Sequence, residues 1–448
     1  MTETLGGPPR PRPPVADALE AMVSPLGGLV GSTSRLLTPE TGALLPVHAA
    51  ALGDTTQVLP AVADAMRGRP TNGTIDGAAA SVDEREARWL AVAEALERYS
   101  SSVYSEDQFV WATAAELGDE ALDLDTVPSI SDAEAAHPAC PLVKPDKLAP
   151  MRWVRGLSLM TSKPAWIPVP YVYLHLRHAS EGERLTAPIS TGCAAHTDVH
   201  TALAKALCEV IERDAIVLTW LQRLPLPRLD LDRVSDELAL LARIAREEQV
   251  VTHLFDATTD LGVPTVYLVE VAPHHPATRT LVTCATDLDP YAAAEKVFRE
   301  AASCRIGLRS RVPERTDPMT FRDPFDGGTY MAAPERAHAF DFLLDSPHRR
   351  SLSELPATEV AEGRPALRWI LQRLRDHGME AFAVDLTCDE ARDIGMSVVR
   401  VIVPRLMPLS FVGAAQYRGT PRLYEAPVAM GYPAHAEADL NPWPQPFV

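Results

Sequence analysis

The chain has 448 residues, 46% of them hydrophobic and 23% charged, a globular composition in a chain long enough to bury a large core. Its 42 Lys and Arg against 60 Asp and Glu leave a net charge of −18, which argues against general nucleic-acid binding while leaving room for a nucleotide held by a local cation. No apolar run approaches the ~20 residues that span a bilayer. The six cysteines (Cys140, Cys193, Cys208, Cys284, Cys304 and Cys388) form no Cys-x-x-Cys pair, so they read as free thiols of a reducing cytoplasm and not as a zinc site.

The opening GGPPRPRPP reads as a disordered segment over residues 1–20. SVDEREARWLAVAEALERYSSS reads as a helix with Ser81 as its N-cap, because Glu84 stands at capping-box spacing. AWIPVPYVYLHL (165–176) reads as strand, and TDVHTALAKALCEVIERDAIVLTWL as a long helix capped by Thr197 or Asp198. SDELALLARIAREEQ is an amphipathic helix; TVYLVEVA (265–272) and TLVTCAT (280–286) are strands. DPYAAAEKVFREAASCRIGL is a helix with Asp289 as cap and Pro290 at its first position. The amphipathic helix ALRWILQRLRDHG and the strands EAFAVDL (380–386) and SVVRVIV (397–403) complete the pattern. Strands and helices alternate without a regular βαβ rhythm, and no long linker divides them, so the fold class is α+β in one large domain.

Two helices carry the same skeleton, Glu-x-x-Glu-Arg, in AEALERYS (93–100) and ALCEVIERDA (206–215). At 100° per residue, Glu94 and Glu97 share one helix face, and so do Glu209 and Glu212. A solvated face is the plain alternative. Against it, Ile216 and Trp220 continue the second glutamate face, so something covers it. Like charges at this spacing repel by a few tenths of a kcal/mol, and under cover they need cations. Magnesium suits carboxylate oxygens and bridges to phosphate. Lysine occurs only five times, and Lys296 stands one helical turn from Glu300. The common glycine-rich phosphate loops are absent, and His274-His275-Pro276 and His175-x-x-His178 lack zinc-site spacing. Pattern alone therefore points to an acidic, magnesium-dependent nucleotide site made from helices.

From about residue 21 to residue 430, the order of blocks resembles the YcaO family. The resemblance rests on GAAASVDEREARWLAVAEALERYS, MRWVRGLSL, AWIPVPYVYL, the long central APISTGCAAHTDVHTALAKALCEVIERDAIVLTW, EKVFREAASCR and VVRVIVP. It implies an α+β fold with mixed and antiparallel sheets and helices enclosing an ATP site, without a Walker loop. Carried over by motif, Glu94, Glu97, Glu209 and Glu212 are the expected magnesium ligands. Arg98, Thr197, Arg213, Lys296 and Glu300 are the expected nucleotide-site residues. Relatives often have arginine where this chain has Lys296. The chain departs from the pattern at Ser190-Thr191-Gly192 (often Ser-Asn-Gly), Thr197 (an asparagine), Thr201 (a glutamate) and Ser303 (often glutamine). The lost glutamate removes an expected magnesium contact, for which Asp198 is the candidate replacement.

The end, NPWPQPFV, alternates Pro442, Pro444 and Pro446 with Trp443, Gln445 and Phe447. A frayed polyproline tail is the plain alternative. On this background the tail resembles those of azoline-forming cyclodehydratases, where it enters the active site and Val448 offers its carboxylate to the reaction. The implied organisation is a YcaO domain over 21–440 and an active-site tail over 441–448. The implied activity is ATP-dependent cyclodehydration of Cys, Ser or Thr in a ribosomally made precursor peptide, with thioamide-type backbone activation or a non-catalytic scaffold as alternatives. The implied partners are the precursor peptide, a separate leader-binding protein, a flavin dehydrogenase and a second copy in a homodimer, but no nucleic acid or membrane.

Overall fold

The structure, a computed structural model, describes residues 15–37, 44–57, 59, 62–63, 76–312 and 315–448. Fourteen strands among the described residues form three sheets. β1 (Ser32–Arg35), β2 (Val47–Ala51) and β3 (Gly77–Ala80) make a three-stranded antiparallel sheet. β4 (Val110–Ala112), β5 (Met151–Ser158), β6 (Pro164–Pro168), β7 (Cys193–His196), β13 (Phe382–Asp385) and β14 (Ser397–Ile402) make the largest, in the order β4-β5-β13-β14-β7 with β6 added on β5. β8 (Arg228–Asp230), β9 (Val251–Asp256), β10 (Thr265–Val271), β11 (Thr280–Thr286) and β12 (Arg349–Ser351) make a five-stranded sheet in the order β11-β10-β9-β8-β12, where only β8 and β12 run parallel. The expected α+β class with mixed and antiparallel sheets holds.

Three long helices lock the sheets together. The first glutamate helix (Glu84–Ser100) packs on β2 and β3. The second (Val199–Leu221) lies between β14 and β7 on one side and β11 on the other. The lysine helix (Pro290–Arg309) packs on β10, β11 and β3. Sandwiching explains why the second helix is apolar nearly all round: Leu207, Ile211, Ile216, Leu218 and Trp220 are fully buried. Asp289 and Pro290 start the lysine helix as expected, the Asp289 carboxylate accepting from the Tyr291 N–H at 2.9 Å.

Three expectations change. The first glutamate helix is capped by Asp83, whose carboxylate accepts from the Arg85 and Glu86 N–H groups at 2.8 and 3.3 Å. Ser81 lies outside it and donates its hydroxyl to Glu86 instead, so Asp83 outcompetes the serine for the orphan donors. The strand read over 165–176 stops at Pro168 and turns into a 3-10 segment, Val169–Tyr171, because Pro168 and Pro170 supply no ladder donors. Of the segment expected to be disordered, residues 1–14 lie outside the described residues; Ala16–Ala21 form a short helix with Ala16 and Leu19 buried.

Candidate active site

β3, β7 and β11 are each the last strand of their sheet, so each presents backbone N–H groups with no ladder partner. The four glutamates take up donors from these strand edges. Glu94 accepts from Ala78 of β3 at 2.7 Å, and Glu97 from Ala195 of β7 at 2.7 Å. Glu209 accepts from Gly192, just ahead of β7, at 3.0 Å, and Glu212 from Thr286 at the end of β11 at 3.0 Å. The Gly192 donor is aimed by a turn: Cys193 N–H returns to Ser190 C=O at 3.0 Å and Gly192 takes φ +83°, a type II arrangement that favours glycine at its third position.

The repeated skeleton gives repeated local geometry. In each helix the arginine folds back one turn onto the first glutamate, Arg98 to Glu94 at 2.7 Å and Arg213 to Glu209 at 3.2 Å. Lys296 crosses from the lysine helix to Glu212 at 3.1 Å and reaches Glu300 at 3.4 Å. Glu212 is 1% exposed, whereas Lys296 and Glu300 keep 39% and 38% of their side chains open to the cleft.

Electrostatics ties the walls into one site. Burial pushes Glu97 up to about 8; the Ala195 N–H opposes it, and the neighbouring charges of Glu94 and Glu209 add to it. Glu300 is also raised, by burial against the pull of Lys296. Burial works against the Lys296 charge, but Glu212, Glu300 and Glu209 outweigh it and hold the ammonium charged. The same balance, with Glu212 first among the partners, keeps Arg213 charged.

Among the described residues no three His, Cys, Asp or Glu side chains converge closely enough to cage a metal ion unaided. That arrangement suits magnesium carried by a nucleotide, where one or two carboxylates suffice and phosphates and water complete the shell. The donor set fits such a group. Four hard carboxylates face Arg98, Arg213 and Lys296, and two polar atoms beside them, Arg213 Nε and Thr191 Oγ1, are buried without a partner.

Two site expectations fall at the start of the second glutamate helix. Thr197 is exposed ahead of the second glutamate helix. Asp198 caps that helix, taking the Thr201 N–H at 2.9 Å and hydroxyl at 2.8 Å on one oxygen, while His200 lies 3.4 Å from the other. These bonds hold the Asp198 carboxyl down to about 2. The structure thus shows Asp198 as the helix cap.

The tail is packed. Pro444, Gln445, Pro446 and Phe447 are buried, and Phe447 meets the Tyr267 ring edge-on at 5.4 Å. Val448 lies over Gly328 and beside Leu308 of the lysine helix, eight residues, or about 12 Å of helix, beyond Glu300. Pro442 is exposed. No hydrogen bond or ion pair among the described residues joins the tail to the four glutamates.

Sequence reasoning missed Asp214, next to Arg213. It is fully buried, and Arg422 grips it with two bonds of 2.7 and 2.6 Å while the Met407 N–H donates at 2.9 Å. The available signal was a lone carboxylate entering the apolar run AIVLTWL, which must find a partner.

The fold and site define an α+β protein with a cleft of carboxylates and cations between helices, without a glycine-rich phosphate loop. The sequence matches the profile of YcaO cyclodehydratase, ATP- and Mg2+-binding, over residues 79–407, and the chain belongs to this family. As a member it binds ATP and Mg2+. It is 28% identical over 331 residues to an uncharacterized protein of Methanothermobacter thermautotrophicus, covering 72% of this chain and 79% of that one. Its fold matches a heterocyclase in complex with substrate and cofactor, with a TM-score of 0.79 and 22% identity. That match covers 97% of this chain and 57% of the heterocyclase, so the chain spans little more than half its length. It also matches YcaO from Methanopyrus kandleri bound with AMPPCP and Mg2+, with a TM-score of 0.59 and 18% identity over 87% of this chain and 88% of that one. No helix among the described residues is long and apolar enough to cross a membrane.

Proposed function

We propose that the protein is the ATP-dependent cyclodehydratase component of a peptide-modifying system, converting Cys, Ser or Thr of a ribosomally made precursor to thiazoline or oxazoline. The side-chain thiol or hydroxyl adds to the preceding backbone carbonyl, and the resulting oxygen takes the terminal phosphoryl group of ATP. Departure of phosphate then leaves the ring, so one peptide oxygen exits in inorganic phosphate and ADP is the second product. Carrying the reading is the convergence of four strand-pinned carboxylates and three cations where three sheet edges meet.

In this reading Glu94, Glu97, Glu209 and Glu212 hold magnesium, which neutralises phosphate charge when bound. Arg98, Arg213 and Lys296 orient the phosphates and stabilise charge that grows during transfer, so the protein acts by positioning and electrostatics and supplies no nucleophile. The docked tail, with Pro442, Pro444, Pro446 and Val448, helps to place the attacking side chain of the peptide. A separate leader-binding protein supplies the precursor, and a flavin dehydrogenase oxidises the rings.

The test is ATP-dependent loss of about 18 Da, one water, per ring from a precursor peptide, in a mixture with the leader-binding partner. Glu212→Gln and Glu97→Gln keep the acceptor for their strand N–H but can no longer supply a carboxylate to a cation. Each is expected to abolish turnover while the thermal unfolding midpoint stays within a few degrees. Wild-type turnover in either variant overturns the shared-site reading.

A further inference from the structure

The last four carbonyls of any helix lack intrahelical donors. Val199–Leu221 ends abruptly, with Arg223 in the left-handed region at φ +49°; the N–H groups of Gln222, Leu224 and Arg223 serve the Leu218, Thr219 and Trp220 carbonyls locally, while the Leu221 carbonyl and a further bond on the Trp220 carbonyl are served from the far end of the chain. Asn441 donates its backbone N–H to Leu221 C=O at 2.8 Å and its side-chain Nδ2 to Trp220 C=O at 3.0 Å. Its Oδ1 accepts the Trp443 N–H at 3.2 Å. The Trp220 indole N–H then reaches over to Trp443 C=O at 3.1 Å. Asn441 is 1% exposed.

Neighbouring contacts support the same seam. The Gln222 side chain donates to Leu423 C=O and His435 C=O and accepts the His435 N–H at 2.7 Å, and Arg223 donates to Asp439 C=O at 2.8 Å. Gln222 and Arg223 directly follow the helix that carries Glu209, Glu212 and Arg213, and their partners lie ahead of the tail.

Beyond Asn441 the tail has little to fix its own register. Pro442, Pro444 and Pro446 donate no backbone hydrogen. In a proline-alternating segment a slip of two residues sets proline on proline, moving the chain end by about 6 Å at the polyproline rise. Such a slip is blocked only by an anchor at the start and by side-chain fit at the end. Side-chain fit is tight: a Cβ on Gly327 would meet Gln445 C=O at 2.1 Å, and one on Gly328 would meet Val448 Cγ1 at 2.4 Å.

We infer that Asn441 is the positioning residue of the proline-rich tail: by tying it to the end of the second glutamate helix it sets where Val448 lies. This rests on the proposed role of the tail in cyclisation. Asn441 touches neither nucleotide-site residues nor the reacting atoms, so its effect passes through the tail alone.

The experiment compares Asn441→Ala, Asn441→Asp, a Δ442–448 truncation and the combined variant, each full length otherwise and mixed with the leader-binding partner. Tail docking is read directly by carboxypeptidase digestion with intact-mass detection, Mg·ATP affinity by calorimetry, and rate by ring formation. In the wild type Val448 and Phe447 resist digestion. In Asn441→Ala they are released, cyclisation falls by about 10- to 100-fold, the range that small misplacements produce, and Mg·ATP affinity stays within twofold. Asn441→Asp keeps the acceptor for Trp443 but sets a buried carboxylate oxygen against Trp220 C=O, so it loses at least as much as Asn441→Ala. Asn441→Ala adds no further loss on the truncated background. A protected tail and wild-type rate in Asn441→Ala, with Δ442–448 inactive, overturns the positioning role alone. Loss of Mg·ATP binding in Asn441→Ala makes the residue merely structural and also overturns it. A wild-type rate in Δ442–448 overturns the tail reading beneath it.

Discussion

Arg422→Met tests how the second glutamate helix is seated. The guanidinium supplies two bonds to Asp214 and two to Asp260, at 3.2 and 2.8 Å, and Asp260 lies 4.0 Å from the His377 imidazole. Methionine keeps much of the apolar stem and removes the charge. Asp260 is partly exposed and can turn toward water, but Asp214 is fully buried and keeps only the Met407 N–H. Breaking one side of a buried pair costs about 3–5 kcal/mol. Protonation sets a ceiling. Already in the wild type burial raises the Asp214 carboxyl, with Arg422 pulling it down. Without Arg422, taking up a proton at pH 7 against an ordinary value of 3.8 costs about 4.4 kcal/mol, but at pH 5 only about 1.6 kcal/mol. A folded-state value above the unfolded one gives a penalty absent below about pH 4 that grows as pH rises. Denaturant unfolding at pH 5 and pH 7 should therefore show a larger loss at pH 7, by up to about 2.8 kcal/mol, and Asp214→Asn combined with Arg422→Met should remove most of the pH dependence. Equal midpoints for Arg422→Met and wild type at pH 7, or a loss identical at both pH values, refutes the argument.

Asp198→Ala removes a helix cap and should lower stability by about 1 kcal/mol while leaving Mg·ATP affinity within twofold; a tenfold loss of affinity makes Asp198 a ligand after all. Gly192→Ala puts a methyl group 2.3 Å from Val401 C=O at φ +83°, so the turn must open and Glu209 must lose its donor. Calorimetry should show Mg·ATP binding weakened at least several-fold, and wild-type affinity counts against the strand-pinned site.

Much of the site is readable in one dimension because helices are periodic. Glu94, Glu97, Glu209 and Glu212 fall on common faces by spacing alone, and Trp220 shows that the second face is covered. Their partners are not readable. Ala78, Gly192, Ala195 and Thr286 contribute only backbone N–H groups, which every residue but proline carries, and what selects them is that β3, β7 and β11 are sheet edges. Edge position is a property of the whole topology. Asp198 illustrates the same limit: the sequence offers it both as a helix cap and as a replacement ligand, and the Thr201 hydroxyl and N–H on one oxygen bear out the cap. Asn441 stayed hidden because its partners, Trp220 and Leu221, lie some 220 residues earlier in the chain.

Each glutamate pinned to a sheet edge is also a crossbrace, since the first and second glutamate helices hold carboxylates against β3, β7 and β11 of three different sheets. A cation drawing those carboxylates together loads all three braces at once. Ligand-linked stability, RT ln(1 + [L]/Kd), is then spread across the sheets and not confined to the cleft. Amide exchange should slow together at Ala78, Ala195 and Thr286 when Mg·ATP is added, so that three distant strands report one binding event with a common midpoint.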